Sequence, residues 1–387
     1  MSFPGLSLFR ERGAVRDFER QDPGFRRLVF YSEGAGDWPH LGPVIQVFLA
    51  EHDVKISFLS SDPADPGLRI QDERMRGFQI GTGTMRTVLF ARMDCQHFVM
   101  TLPDLGNLWL KRSVHPVHYI YLFHSINSTH TAYRKGAFDG FDTVLCVGPH
   151  HVDEIRKTEA VYGLPAKELV QHGSAKLDTV LAQFADAPAT GASDGTREVL
   201  VAPTWGDSSL IERPVGRELI DALVAAGHRT VLRLHPMTVR RLPKVVSELR
   251  QTYRDEPLFR LEDDMNVTES WLRSDLMISD WSGAAIEYAF AVLKPVIYVD
   301  TPAKILNDEW ERVGAPSFEA GIRHEVGRVV DEPAMASIPG LVDEVAGLAD
   351  SMRDRIRAAR ERSIFNIGRS SAAAASYLAS LPASADR

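Results

Sequence analysis

Short runs of branched and aromatic apolar residues recur along the chain, each followed by a stretch with helical spacing. This is the pattern of parallel strands covered on both faces by crossover helices. Residues 27–32 (RLVFYS) form the first run, a turn follows at 33–37, an apolar helix spans about 41–51, and 54–59 give the next strand. The segment 27–60 therefore predicts a β-α-β unit. Further strands are expected at 87–90, 97–100, 118–122 and 143–147. At 185–196 the sequence becomes ADAPATGASDGT, with no large side chain to bury, which marks a linker. The alternation then resumes, with strands at 198–202, 230–234, 276–279 and 295–299 and helices at about 215–226 and 283–291, the run at 295–299 closing the series. From 341 to 381 the spacing is helical.

This pattern divides the chain into an N-terminal segment (1–26), two Rossmann-like α/β domains (27–184 and 197–345) and C-terminal helices (346–387). Two such domains set the carboxyl ends of two parallel sheets around a central cleft, where ligands belong.

Composition narrows the picture. With 387 residues, 44% hydrophobic and 25% charged, the chain can fill two cores, which excludes disordered, collagenous and small disulfide-held classes. A net charge of −8 removes the broad cationic field of a nucleic-acid binder. Two cysteines, Cys95 and Cys146, fit a reducing compartment. No apolar run reaches the roughly 18 residues of a membrane span, and residues 1–12 lack a signal-peptide core, so a cytoplasmic location is expected. Leu6, Leu8, Phe9, Val15 and Phe18 alternate with Arg10, Arg12, Arg16 and Arg20, a pattern that can lie along a membrane surface. Glu11, Asp17 and Glu19 weaken that reading, and an ordinary packed terminus is the alternative.

Four places carry candidate chemistry. Residues 278–289 (ISDWSGAAIEYA) end a buried strand and open a helix within five residues, gathering Ser279, Asp280, Ser282 and the backbone N–H of Gly283 where a helix dipole favours an anion. Capping of the helix by one of these side chains explains the same residues structurally. Residues 231–237 (VLRLHPM) carry Arg233 and His235 on one strand face toward the cleft, a guanidinium and an imidazole suited to phosphate; a surface Arg and a loop His are the alternative. Residues 119–130 (YIYLFHSINSTH) place His124 at a strand end before a hydroxyl-rich turn, with Arg134 and Lys135 within reach of an anion; a buried, hydrogen-bonded histidine is the plain alternative. Residues 200–209 run from a strand into a turn at Thr204 that can line a pocket beside a nucleotide. Asp94, Cys95, His97, His115 and His118 match no recognised metal spacing, and Asp263-Asp264 fits a solvated loop better than a nucleotide-metal site.

Taken in order, Ala202-Pro203-Thr204-Trp205, Arg233-Leu234-His235-Pro236 and the run from Ser274 through Ser282 to Tyr298 resemble the CDP-glycerol glycerophosphotransferase family, the teichoic-acid primases and polymerases of bacterial envelope synthesis. The likeness covers much of 115–310. Residues 172–178 (HGSAKLD) look like a loosened form of the family's Gly-x-Pro-Arg-x-Asp loop, with Lys176 in place of the arginine. The resemblance implies a GT-B fold and transfer of glycerol phosphate from CDP-glycerol, or a related CDP-linked donor, to a lipid-linked or polymeric acceptor. It implies CMP release, no metal or cofactor, and work at the inner face of the membrane. By that likeness, His124 is the acceptor-side base. His235 and Arg233 stabilise charge on the diphosphate, and Ser279, Asp280 and Ser282 seat it. Two departures stand out: the family's His-Gly-Thr-Pro is His124-Ser125-Ile126-Asn127, and its second loop serine is Gly283. Rival readings keep the frame and change the chemistry, to a nucleotide-sugar glycosyltransferase or a non-catalytic nucleotide binder.

Overall fold

The computed structural model describes residues 4–106, 110–185, 196–262, 269–331 and 337–382. The strands of the N-terminal lobe are β1 (Leu28–Ser32), β2 (Ile56–Ser60), β3 (Met75–Gln79), β4 (His97–Met100), β5 (His118–Leu122), β6 (Thr143–Cys146) and β7 (Glu168–Gln171). They form one parallel sheet in the order β3-β2-β1-β4-β5-β6-β7. The C-terminal lobe holds β8 (Glu198–Val201), β9 (Arg229–Arg233), β10 (Phe259–Glu262), β11 (Leu276–Ser279), β12 (Val296–Asp300) and β13 (Gly327–Asp331). These are also parallel, in the order β10-β9-β8-β11-β12-β13. The strands β1, β2, β8 and β11 are buried along their whole length, which explains their mostly apolar sequence.

Two expectations are corrected. Residues 87–90 lie in the helix Thr84–Ala91, where Leu89 and Phe90 face the core while Val88 stays 38% exposed. Two adjacent buried residues beside an exposed one suit a helical stripe, and tertiary packing overrides the β-branched preference of Thr87-Val88. The partly exposed edge strands β3, β7, β10 and β13 have mixed polar sequences that carried no strand signal, so the series does not close at β12. The linker expected at 185–196 lies, but for its two end residues, outside the described residues, as does Asp263-Asp264.

The helix Pro4–Glu19 packs Val15 and Phe18 onto the N-terminal lobe, near β3 and the helix Thr84–Ala91, and leaves Phe9 74% exposed. The C-terminal helices serve both lobes. Ala349–Ser363 packs against Phe318–Val326 and Gly283–Val292, and Ser370–Ser380 then packs against Trp38–Glu51 of the other lobe. The crossing is held by the loop at 172–178: Asp178 accepts the N–H groups of Gly368 and Ser370, each at 2.7 Å. Gly173 (φ +98°) is required there, because a Cβ would lie 2.2 Å from the Phe365 carbonyl oxygen.

Candidate active site

Each sheet reverses its strand order once, between β1 and β4 and between β8 and β11. Ligands in such folds bind in the crevice beyond the strand ends at that reversal. In the C-terminal lobe the reversal is flanked by the loops 202–210 and 280–282, and a cavity of about 610 Å³ opens there against the N-terminal lobe. Its wall includes His124, Lys176, Thr204, His235, Ser282 and Gly283. Six of the nine residues expected at the site thus meet in one cavity.

The other three do not line it. Arg233 is 3% exposed and turned into the lobe, where its guanidinium pairs with Glu262 at 2.5 Å and donates to Ser270 Oγ at 2.6 Å. Ser279 is fully buried and donates to the Ala202 carbonyl at 2.7 Å. Asp280, also fully buried, accepts the N–H groups of Thr204 (2.7 Å) and Leu210 (2.9 Å), fixing the loop that carries Thr204 and Trp205. Burial pushes its carboxyl up to about 6, against the pull of those donors. These side chains shape the site from beneath.

The turn after His124 also differs from expectation. Ser128 donates through its hydroxyl and its N–H to the two oxygens of Glu319, at 2.6 and 3.0 Å, and accepts the Phe318 N–H. His130 bonds the Ala315 carbonyl at 3.0 Å, and its own carbonyl accepts from Asn307. Lys135 pairs with Glu309 at 2.6 Å rather than facing the cavity. The hydroxyl-rich turn is the seam between the lobes.

His124 stands two residues beyond β5 with its Nδ1 3.1 Å from the Tyr121 hydroxyl. Burial depresses its basicity, partly countered by Asp37 and by a bond to the Thr101 backbone, so it is neutral at pH 7. His235 stands two residues beyond β9 and caps the helix Pro236–Arg241, its Nδ1 accepting the Met237 N–H at 3.1 Å. Burial, with a smaller push from Lys304, lowers it to about 4. A neutral imidazole that accepts at Nδ1 carries its proton on Nε2, so His235 offers an N–H donor.

The cavity cation that sequence reading missed is Lys304, four residues beyond β12. Its ammonium lies 3.4 Å from the centre of the Trp205 ring, donates to the Trp205 carbonyl at 2.9 Å, and is lowered to about 8, chiefly by burial. Its position just past a strand end beside the reversal was the available signal. Lys176 reaches the same cavity and pairs with Glu287 at 2.5 Å across the lobes. Among the described residues no group of three or more His, Cys, Asp or Glu side chains is placed to hold a metal ion, and no helix is long and apolar enough to cross a membrane.

Residues 131–303 match the family model for CDP-glycerol:poly(glycerophosphate) glycerophosphotransferase, which bears out the resemblance carried by the motifs. No curated protein matches the sequence. Among solved structures, UDP-GlcNAc 2-epimerase from Neisseria meningitidis bound to UDP-GlcNAc is 13% identical, with a TM-score of 0.56 over 91% of this chain and 98% of that one. A glycosyltransferase from Rickettsia africae is 10% identical, with a TM-score of 0.52 over 92% and 100%. The S. aureus MnaA–UDP co-structure is 10% identical, with a TM-score of 0.54 over 90% and 94%. The chain has their α/β, GT-B fold of two facing Rossmann-like lobes, and the family match over residues 131–303 supports a transferase.

Proposed function

We propose that this chain transfers glycerol phosphate from CDP-glycerol to a hydroxyl of a lipid-linked or polymeric envelope acceptor and releases CMP. The observation that carries the reading is the convergence of two neutral imidazoles, His124 and His235, from opposite lobes on one cavity. The family match supports the same chemistry.

In this reading a ring nitrogen of His124 takes the acceptor hydroxyl's proton. The acceptor oxygen bonds to the β-phosphorus, and that phosphorus loses its bond to the oxygen bridging to the α-phosphate. CMP leaves with the bridging oxygen and its electron pair. His235 Nε2–H donates to a diphosphate oxygen, and Lys304 supplies the positive charge expected of Arg233. Ser282 and the backbone at Gly283 offer further donors at the start of the helix Gly283–Val292. Phosphoryl transfer of this kind depends on positioning and electrostatics, so loss of either histidine should lower turnover by ~10²–10³. Exposed Phe9, Arg10, Arg12 and Arg16 on the N-terminal helix support peripheral attachment at the membrane, where such an acceptor is found.

The test is CMP release from CDP-glycerol by purified protein with and without a membrane extract, run beside His124→Ala and His235→Ala. Extract-dependent release that falls by that factor in both variants is the expected result. No release and no CDP-glycerol binding, or a glycosidic product from a nucleotide sugar, overturns the donor assignment.

A further inference from the structure

Asn127 lines the cavity, and its Oδ1 is buried with no hydrogen-bond partner. Its backbone is held on both sides: the N–H donates to Ser125 Oγ at 3.1 Å, and the carbonyl bonds His151 Nε2 at 2.9 Å. The carboxamide therefore projects from a fixed point on the N-terminal lobe toward the start of the helix Gly283–Val292 on the other lobe. A Cβ at residue 283 would lie 2.4 Å from Oδ1 and 3.3 Å from Nδ2. Gly283 is not among the residues with positive φ, so the backbone makes no demand for glycine there. The space does. The two positions meet each other across the cleft.

We infer that Asn127 and Gly283 act as one specificity-determining pair, the missing side chain admitting a carboxamide that contacts the group carried on the donor's diphosphate. An unpartnered carbonyl oxygen in the wall of a ligand cavity finds its missing partner when the carboxamide turns toward a donor on the ligand. A phosphate ionised at neutral pH offers only acceptors, whereas a polyol or sugar hydroxyl donates. The pair thus reads a hydroxyl-bearing substituent and leaves the diphosphate to the donors already described. The inference rests on the cavity being the donor site, as proposed above, and it holds for a CDP-polyol or a nucleotide sugar alike.

The experiment compares Asn127→Ala, Gly283→Ala and the double variant, using CDP-glycerol and UDP-N-acetylglucosamine as donors and CDP alone as a ligand without the hydroxylated group. Each single variant should lower kcat/KM for the accepted donor roughly tenfold, with the double variant no worse than either, because the alanine methyl at 283 displaces the carboxamide that the first variant deletes. In Asn127→Ala, affinity for CDP should stay within about twofold of wild type, a separation that a merely structural role would not give. Equal losses for CDP and the full donor, additive losses in the double variant, or an unchanged Asn127→Ala each overturn the pair. If wild type turns over the nucleotide sugar and not CDP-glycerol, the glycerophosphotransfer reading falls while the pair is judged by the same ratios. A wild type that takes neither donor overturns both.

Discussion

In the C-terminal lobe Arg233, Ser279 and Asp280 use their polar groups inside the lobe, on Glu262, the Ala202 carbonyl and the Thr204 loop. In the N-terminal lobe the run from Ser128 to His130 uses its groups on the opposite lobe or on Glu154. All belong to strand-end motifs beside the cleft, yet none of these side chains lines the cavity. In the C-terminal lobe those that do stand further along the chain: His235 two residues past β9, Thr204 and Ser282 three past β8 and β11, and Lys304 four past β12. In the N-terminal lobe His124, two residues past β5, faces the cavity, while Ser128 to His130, further on, turn to the seam. A side chain still within a parallel strand points to one face of the sheet and into a helix layer. Only once the backbone has left the ladder can it turn over the sheet's end. Within the C-terminal lobe, distance past the strand end, rather than polarity, separates the residues that brace the cleft from those that face it.

The largest effect tests the bracing side. Arg233→Met would leave the Glu262 carboxylate buried with the Ser270 hydroxyl and an Arg260 nitrogen 3.8 Å away, a loss of about 3–5 kcal/mol in unfolding free energy by urea titration. Replacing Glu262 with leucine in the same chain should recover most of that loss, because an apolar pair of similar volume carries no stranded charge. If Arg233→Met is as stable as wild type yet loses donor affinity, the guanidinium faces the ligand and the division drawn above fails at its clearest example.

That division also marks what could be read from sequence. The central strands and the helix after β11 were legible because full burial writes continuous apolar runs, and the motifs at 202–205, 233–236 and 279–283 were legible as strand ends beside a cleft. The four edge strands were not, since one exposed side admits polar residues such as Arg76 in β3 and Glu168 in β7. Nor could sequence show that Arg233 had a carboxylate waiting 29 positions away, or that Lys304, in a plain loop, would fold onto Trp205.

The next effect tests the facing side. Lys304→Met should raise KM for the donor roughly tenfold, as expected for one charge-assisted contact to a diphosphate, with a smaller change in kcat. The sign of the pH dependence follows from the lowered ammonium. The cation is present below about pH 8 and is lost as pH rises through that value, so donor KM should climb above pH 8 in wild type. Steady-state CMP release from pH 6.5 to 9 checks this, and the limb should vanish in Lys304→Met. A limb that survives the substitution belongs to another group.

The smallest effect falls on Ser282, which stands on both sides of the comparison. Its hydroxyl caps the helix Gly283–Val292, accepting the Ala284 N–H at 3.3 Å, and the same residue lines the cavity. Alanine and glycine separate the two roles. Ser282→Ala removes the hydroxyl and leaves a poor cap, costing ~1 kcal/mol, whereas Ser282→Gly removes the same hydroxyl but caps nearly as well, costing a few tenths. If the hydroxyl also touches the diphosphate, both variants should weaken donor affinity to a similar, few-fold extent while only alanine lowers the unfolding midpoint in urea. If affinity instead follows stability, falling with alanine and holding with glycine, the hydroxyl acts solely on the helix. Ser282 would then join Ser279 and Asp280 beneath the cavity, and the boundary between bracing and facing residues would move beyond it to Gly283.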